Sequence, residues 1–137
     1  MTTIIEDREL DSELQELYLV NKQWLSELQF LDTELEFLKK LAVNNPEEII
    51  KTEELNNLLD IETSFYALKK DILAYSHELE PLITAEHKDL NLLFIEKYAQ
   101  LKERLADIFR MSMTAKRRIF QCTQVYLGEH NITVVVG

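Results

Sequence analysis

The sequence predicts an all-α protein, an antiparallel up-down-up bundle of three long helices that pack in the manner of a coiled coil. Two glycines and two prolines in 137 residues are too few for the turns that most sheet folds need. Pro46 and Pro81 lie where a three-helix chain needs its turns. Apolar residues in each of the three segments recur at alternating spacings of three and four residues, which is the heptad spacing of packed helices.

The first helix is predicted over residues 6–43, beginning near Glu6 or at a capping box formed by Ser12 and Gln15. Nine of its ten heptad positions are apolar, and Asn21 is the exception. A single buried asparagine can set the register and oligomeric state of packed helices, and we interpret Asn21 in this way. The ten positions are Leu10, Leu14, Leu17, Asn21, Trp24, Leu28, Leu31, Leu35, Leu38 and Ala42.

The second helix is predicted over residues 46–80. Asn45 can cap it, Pro46 suits its first position, and Glu48 can complete a capping box. We expect the helix to end before Pro81, because a residue that precedes proline avoids the helical conformation. Its heptad positions are Leu58, Ile61, Phe65, Leu68, Ile72, Tyr75 and Leu79, and upstream the pattern weakens to Glu54 and Lys51.

The third helix is predicted over residues 84–127, with Thr84 as its cap and Gly128 as its terminator. Residues 1–128 then form one helical domain, and residues 129–137 form a tail that is either a short β-strand or a disordered end. The heptad positions of this helix are Phe94, Tyr98, Leu101, Leu105, Ile108, Ser112, Ala115, Ile119, Cys122 and Tyr126.

Each predicted helix also carries an outer row of apolar residues at seven-residue spacing, well over 90° from its heptad face. These rows are either the margin of a wide core with scattered surface residues, or a second helical interface. We favour the second interface, most simply that of a homodimer forming a larger bundle. The Phe30 row is Phe30 and Phe37; the Leu59 row is Leu59, Tyr66 and Leu73; the Ala106 row is Leu92, Ala99, Ala106, Met113, Phe120 and Leu127.

Charge is unevenly distributed along the chain, whose formal net charge is −10. Residues 1–96 hold 22 acidic and 8 basic side chains, whereas residues 97–137 hold 3 acidic and 7 basic ones. The overall balance disfavours general nucleic-acid binding and adhesion to anionic membranes. No apolar run approaches the length of a membrane span, and a lone cysteine excludes an intrachain disulfide, so we expect a cytoplasmic protein.

The basic part of the third helix has two possible roles, recognition of phosphate groups in a nucleic acid or pairing within the bundle. In an up-down-up bundle it lies beside the acidic late first helix and early second helix, so we favour internal pairing. The acidic residues at the opposite end of the bundle are either solvated or a docking surface for a basic partner. The basic side chains are Lys102, Arg104, Arg110, Lys116, Arg117 and Arg118.

Catalytic and cofactor chemistry has little support in the sequence, and we expect no metal or other cofactor. The Glu-x-x-His pairs of di-iron bundles are absent, and one cysteine with three scattered histidines does not make a usual zinc site. Cys122 and Ser112 lie at heptad positions, where a core role is favoured over nucleophilic catalysis. His77 is the candidate for a phosphorelay, although Glu78, Glu80 and Pro81 follow it where such domains carry small residues.

The sequence therefore predicts a non-enzymatic helical-bundle protein that binds itself and possibly another protein as a scaffold or interaction module. One alternative is a small bundle enzyme or phosphorelay component that uses His77. The other is a nucleic-acid binder that uses Arg110, Lys116, Arg117 and Arg118.

Overall fold

Three long helices form the part of the chain that the structure describes. The computed structural model describes the backbone of residues 4–84 and 92–129 and the side chains of residues 11–84 and 92–122. In these ranges the order is α1 (Ile4–Val43), α2 (Glu48–Thr84) and α3 (Leu92–Glu129), with no β-strand. The all-helical bundle that the sequence predicts is thereby confirmed.

The connection between α1 and α2 follows the predicted capping chemistry. The backbone N–H of Glu47 donates to Oδ1 of Asn45 at 3.0 Å, so Asn45 satisfies a donor that the helix start leaves unpaired. The first helical hydrogen bond runs from Lys51 N–H to the Glu47 carbonyl at 2.9 Å. Pro46 therefore lies in the turn just before α2 and not at its first helical position.

Pro81 does not end α2, which continues to Thr84, so the predicted end at Glu80 is wrong. A proline near a helix end removes a single backbone hydrogen bond, which is a limited cost. Leu82 and Ile83 beyond it are partly buried against the core and hold the last turn in place. Apolar burial thus offsets the local preference against helix at this point.

Other predicted helix ends also differ from the structure. Thr84 is the last residue of α2 and not the cap of α3, whose described part begins at Leu92. Gly128 lies within α3, which runs on to Glu129, and Ser12 lies inside α1, which begins at Ile4. The predicted tail, either a short β-strand or a disordered end, lies outside the described residues from residue 130 onward.

The core is built from the predicted heptad positions of all three helices. In each helix these positions form one face, because spacings of three and four keep side chains on the same side of a helix. Within the described range, Leu17, Tyr98 and Cys122 are only partly buried, and the other predicted positions are buried. The largest fully buried side chains include Phe65, Leu14, Leu28, Leu31, Leu35, Leu38, Leu58, Leu68, Ile72 and Leu79.

Aromatic contacts join α3 to both other helices near its start. The rings of Trp24 and Tyr98 stack with centroids 5.1 Å apart, and those of Tyr75 and Phe94 lie 4.4 Å apart. The Tyr75 hydroxyl also donates to the Phe94 carbonyl at 3.4 Å. Burial raises the pKa of Tyr75, so this hydroxyl keeps its proton and remains a donor.

Membrane insertion has no support in the described helices. None of them combines the length and the apolar character that crossing a bilayer requires.

Candidate interaction surfaces

The outer apolar rows are exposed in the structure. Phe30 has 71% of its surface exposed and Phe37 has 52%, although large aromatic side chains are usually well buried. All described members of the Leu59 row and the Ala106 row are exposed as well. The side chain of Leu127 lies outside the described residues. The exposed large members are Leu59, Tyr66, Leu73, Leu92, Met113 and Phe120.

Phe30 and Phe120, one from each of two outer rows, lie along the groove between α1 and α3. Phe30 and the partly buried Phe109 of α3 line an open space of about 480 Å³, together with Ser26 and Glu27. Further along the groove, Nζ of Lys116 lies 2.6 Å from Oε1 of Glu34 on α1 and 5.9 Å from the centre of the Phe120 ring.

The Lys116 contacts place Phe120 on the side of α3 that faces α1. Two helices therefore present apolar side chains to a single exposed surface, which we call the α1–α3 face.

The Leu59 row lies on a different side of the bundle. Nζ of Lys39 on α1 lies 2.6 Å from Oε1 of Glu62, which directs that side of α2 toward α1. Leu59 and Tyr66 are one turn before and after Glu62, so they border the groove between α1 and α2. This row has no counterpart among the outer rows of the other helices, and it offers a matched surface for comparison with the α1–α3 face.

Two basic residues of α3 pair with acids of the other helices. Lys116 contacts Glu34 of α1, and Nε of Arg118 lies 3.6 Å from Oε1 of Glu54 on α2. Glu34 belongs to the second half of α1 and Glu54 to the first half of α2.

Three further basic residues of α3 make other contacts. Arg104 contacts Asp71 at 2.7 Å, Arg110 pairs with Asp107 of its own helix, and the Arg117 guanidinium lies 3.6 Å from the Met113 sulfur. The exposed Lys102 makes no ion pair with any described residue. The Arg110 side chain is 72% exposed, so it stays open to a partner in spite of its pair with Asp107.

Glu54 is a buried acid that the sequence places at a weak point of the heptad pattern and among the acids of the early second helix expected beside the basic part of the third. Only 3% of the surface of Glu54 is exposed, and its Oε2 accepts no hydrogen bond from any described residue. Burial raises its pKa, while the Arg118 guanidinium opposes that shift and Glu53 adds to it. A signal for this site exists in the sequence, because Glu54 is four residues before Leu58 and so continues the core face.

Cys122 lies near this acid and is partly buried. Burial raises the pKa of its thiol, and the carboxylate of Glu54 raises it further. The thiol is therefore held protonated, the form that is a weak nucleophile. This geometry favours the core role predicted for Cys122 over a reactive one.

The other candidates for chemistry are not brought together. His77 is exposed on α2, and Ser112 is buried with no described partner for its hydroxyl. Among the side chains described, no three of the types His, Cys, Asp and Glu cluster closely enough to hold a metal ion. His87 and His130 lie outside the described residues.

The acidic end of the bundle is only partly described. Glu13, Glu16 and Glu80 are exposed, and Glu80 borders an open space of about 470 Å³ between residues 15–19 of α1 and the last turn of α2. Glu78 contacts Nζ of Lys97 at 3.4 Å. Residues 15–19 of α1 and the last turn of α2 thus border the same space.

Comparison of the chain with models of known protein families, with curated proteins and with solved structures finds no significant match.

Proposed function

We propose that this chain is a non-enzymatic interaction protein, an up-down-up bundle whose α1–α3 face binds a second copy of the chain to form a homodimer. Its mechanism is the presentation of a preformed helical surface and not a chemical reaction. The cytoplasmic location stays a prediction from the sequence.

Cross-helix contacts support the up-down-up arrangement. Between α3 and α2, the ion pairs are Lys97 with Glu78, Arg104 with Asp71 and Arg118 with Glu54. The residue number in α2 therefore falls as the residue number in α3 rises. From α3 to α1, Tyr98 meets Trp24 and Lys116 meets Glu34, with both numbers rising together. This order is expected when neighbouring helices in the sequence run in opposite directions.

The exposed α1–α3 face is the observation that carries the proposal. Isolated exposed apolar residues are normal, but Phe30 lines the groove between α1 and α3 with Phe109, and the exposed Phe120 lies on the side of α3 that faces α1, beside Lys116. Burying a large apolar side chain contributes about 1.5–3 kcal/mol, so covering several of them is a substantial driving force for association. A helix laid in this groove would contact both rows at once.

Sedimentation velocity of the full chain at micromolar concentration tests the proposal. We expect the mass of a dimer, and we expect Phe37→Ser combined with Met113→Ser to shift the chain toward the monomer. The matched control is Tyr66→Ser in the Leu59 row, because Phe37 and Tyr66 are equally exposed at 52%. A wild-type chain that sediments as a monomer would refute the proposal, and so would a control variant that dissociates as readily as the α1–α3 variant.

A further inference from the structure

A second row, made of charged residues, runs along α3 beside the Ala106 row. Glu96, Glu103, Arg110 and Arg117 are spaced by seven residues and are all exposed. Each lies four residues after the nearest preceding member of the Ala106 row, so the two rows are neighbours on the helix surface. The first two members are acidic and the last two are basic, so the charge reverses midway along α3.

From this pattern we infer that the second copy docks with its α3 antiparallel to α3 of the first copy, on a twofold axis that passes next to Ala106. This inference rests on the homodimer proposed above and specifies its geometry. A twofold axis brings the same patch of both copies together, so the patch must be complementary to itself. The charged row meets this requirement in one orientation only.

Antiparallel docking at this axis places opposite charges across the interface. Glu96 then lies nearly opposite Arg117 of the partner subunit, and Glu103 nearly opposite Arg110 of the partner subunit, because the two positions in each pair differ by a single residue in their distance from Ala106. The twofold axis repeats both contacts, which gives four ion pairs. A parallel arrangement about a twofold axis would instead place the charged rows of the two copies on opposite sides of the interface, where none of these four ion pairs forms.

Residue size is also complementary about the same axis. Ala106 faces its own copy at the centre, where two small side chains let the helix backbones approach closely. On either side, Ala99 faces Met113 of the partner subunit, so a small residue meets a long flexible one. At the ends, Leu92 faces Phe120 of the partner subunit, where both side chains are large.

The Phe30 row completes the site that receives the second copy. Because Phe30 and Phe109 line the same open space between α1 and α3, a helix laid along the Ala106 row also covers Phe30. By symmetry, α3 of the first copy fills the same groove on the second copy. The dimer is thus a four-helix arrangement of two α1 and two α3 helices, with the two α3 helices in contact at its centre.

Disulfide trapping of the full chain tests the orientation. In a Cys122→Ser background, Ala106→Cys places two thiols at the axis, where the Cβ separation suits a disulfide of about 3.5–4.5 Å between Cβ atoms. We expect mild oxidation to convert most of this variant to a covalent dimer. A mixture of an Ala99→Cys chain and a Met113→Cys chain should form the mixed dimer in preference to either homodimer. Tyr66→Cys, in the Leu59 row, is the control that should stay largely uncrosslinked.

Charge reversal provides an independent test. Glu103→Arg alone or Arg110→Glu alone should weaken the dimer about tenfold, because each opposes like charges at two symmetric positions. The double variant Glu103→Arg with Arg110→Glu should recover most of the affinity, since the pairs are restored with the signs exchanged. Circular dichroism checks that each variant keeps its helical content.

The outcomes separate this inference from the proposed function. If the wild-type chain sediments as a dimer but Ala106→Cys does not crosslink, or if the double reversal is no better than the single ones, the orientation is wrong and the homodimer stands. If the wild-type chain is a monomer, both are wrong.

Discussion

The guanidinium Nε of Arg118 lies 3.6 Å from Oε1 of Glu54, a carboxylate buried in the core beside the end of α3. Glu54 is almost inaccessible to solvent, whereas the Arg118 side chain is partly exposed, so the pair lies at the boundary between the core and the surface. One carboxylate oxygen has no described hydrogen-bond donor. A buried charge with incomplete compensation destabilises a fold unless it becomes neutral.

Glu54→Gln should stabilise the protein at neutral pH. Burial raises the pKa of Glu54 in the folded state above its ordinary value of 4.5, so the folded chain binds this proton more tightly than the unfolded chain. The cost of burying the charged Glu54 carboxylate is therefore absent below pH 4.5 and is fully present above the raised pKa. We expect Glu54→Gln to raise the free energy of unfolding by about 1 kcal/mol at neutral pH. Urea denaturation of both proteins across this range measures the gain, and an equal gain at acid and neutral pH would contradict the explanation.

Arg118→Met should destabilise the protein at neutral pH, because it removes the cation nearest to the buried Glu54 carboxylate. We expect a loss of about 1 kcal/mol, limited by the partial exposure of Arg118. In a Glu54→Gln background the same substitution should cost clearly less, since no charge remains to be compensated. The four proteins of this double-mutant cycle are compared by chemical denaturation, and identical losses in both backgrounds would show that the two side chains are not coupled.

Asn21→Leu should raise thermal stability. Asn21 is fully buried and its Nδ2 donates to the Leu17 carbonyl at 2.8 Å, a bond within α1, while no described residue donates to its Oδ1. Replacing an incompletely paired amide by an apolar side chain of similar size should add about 1–3 kcal/mol. The register role predicted for Asn21 implies that the gain comes with looser specificity of association. Calorimetry measures the stability and sedimentation the oligomeric state; a lower melting temperature would show that the amide stabilises the fold.

Leu35→Ala and Phe37→Ala should separate folding from association. Leu35 is fully buried whereas Phe37, two residues later on α1, is 52% exposed. We expect Leu35→Ala to cost about 2–5 kcal/mol through the lost burial and the cavity that remains. Phe37→Ala should change the stability of a dilute sample by less than about 0.5 kcal/mol. Denaturation at low protein concentration compares them, and a large loss from Phe37→Ala would mean that Phe37 belongs to the core of the single chain.

Pro81→Ala should stabilise the protein and Pro46→Ala should not. Pro81 lies inside α2, where alanine restores a backbone donor and better helix propensity, so we expect a gain of about 1–3 kcal/mol. Pro46 lies in the turn before α2, where its restricted backbone lowers the entropy of the unfolded chain, so its replacement should cost up to about 1 kcal/mol. Opposite shifts in melting temperature are expected, and a loss with Pro81→Ala would show that the proline at this position is needed for packing.

Periodicity alone was sufficient to identify the core faces, because an apolar face on a helix depends only on spacing along one segment. Leu28, Phe65 and Leu105 are buried as their heptad positions predict. The start of α2 was equally local, since the Asn45 cap acts within two residues. Exposure of the outer rows followed from the same geometry, because residues far from a core face point away from the bundle.

Packing between segments decided the remainder. α2 passes through Pro81 because Leu82 and Ile83 gain burial on other helices, an energy that local preferences do not contain. Glu54 is buried because α3 covers it, and Phe30 and Phe109 line one groove because of how α1 and α3 are rotated against each other. These features depend on contacts between residues far apart in the chain, such as the 2.6 Å contact between Nζ of Lys116 and Oε1 of Glu34. The spacing of apolar residues along one helix carries no information about how that helix is rotated against its neighbour.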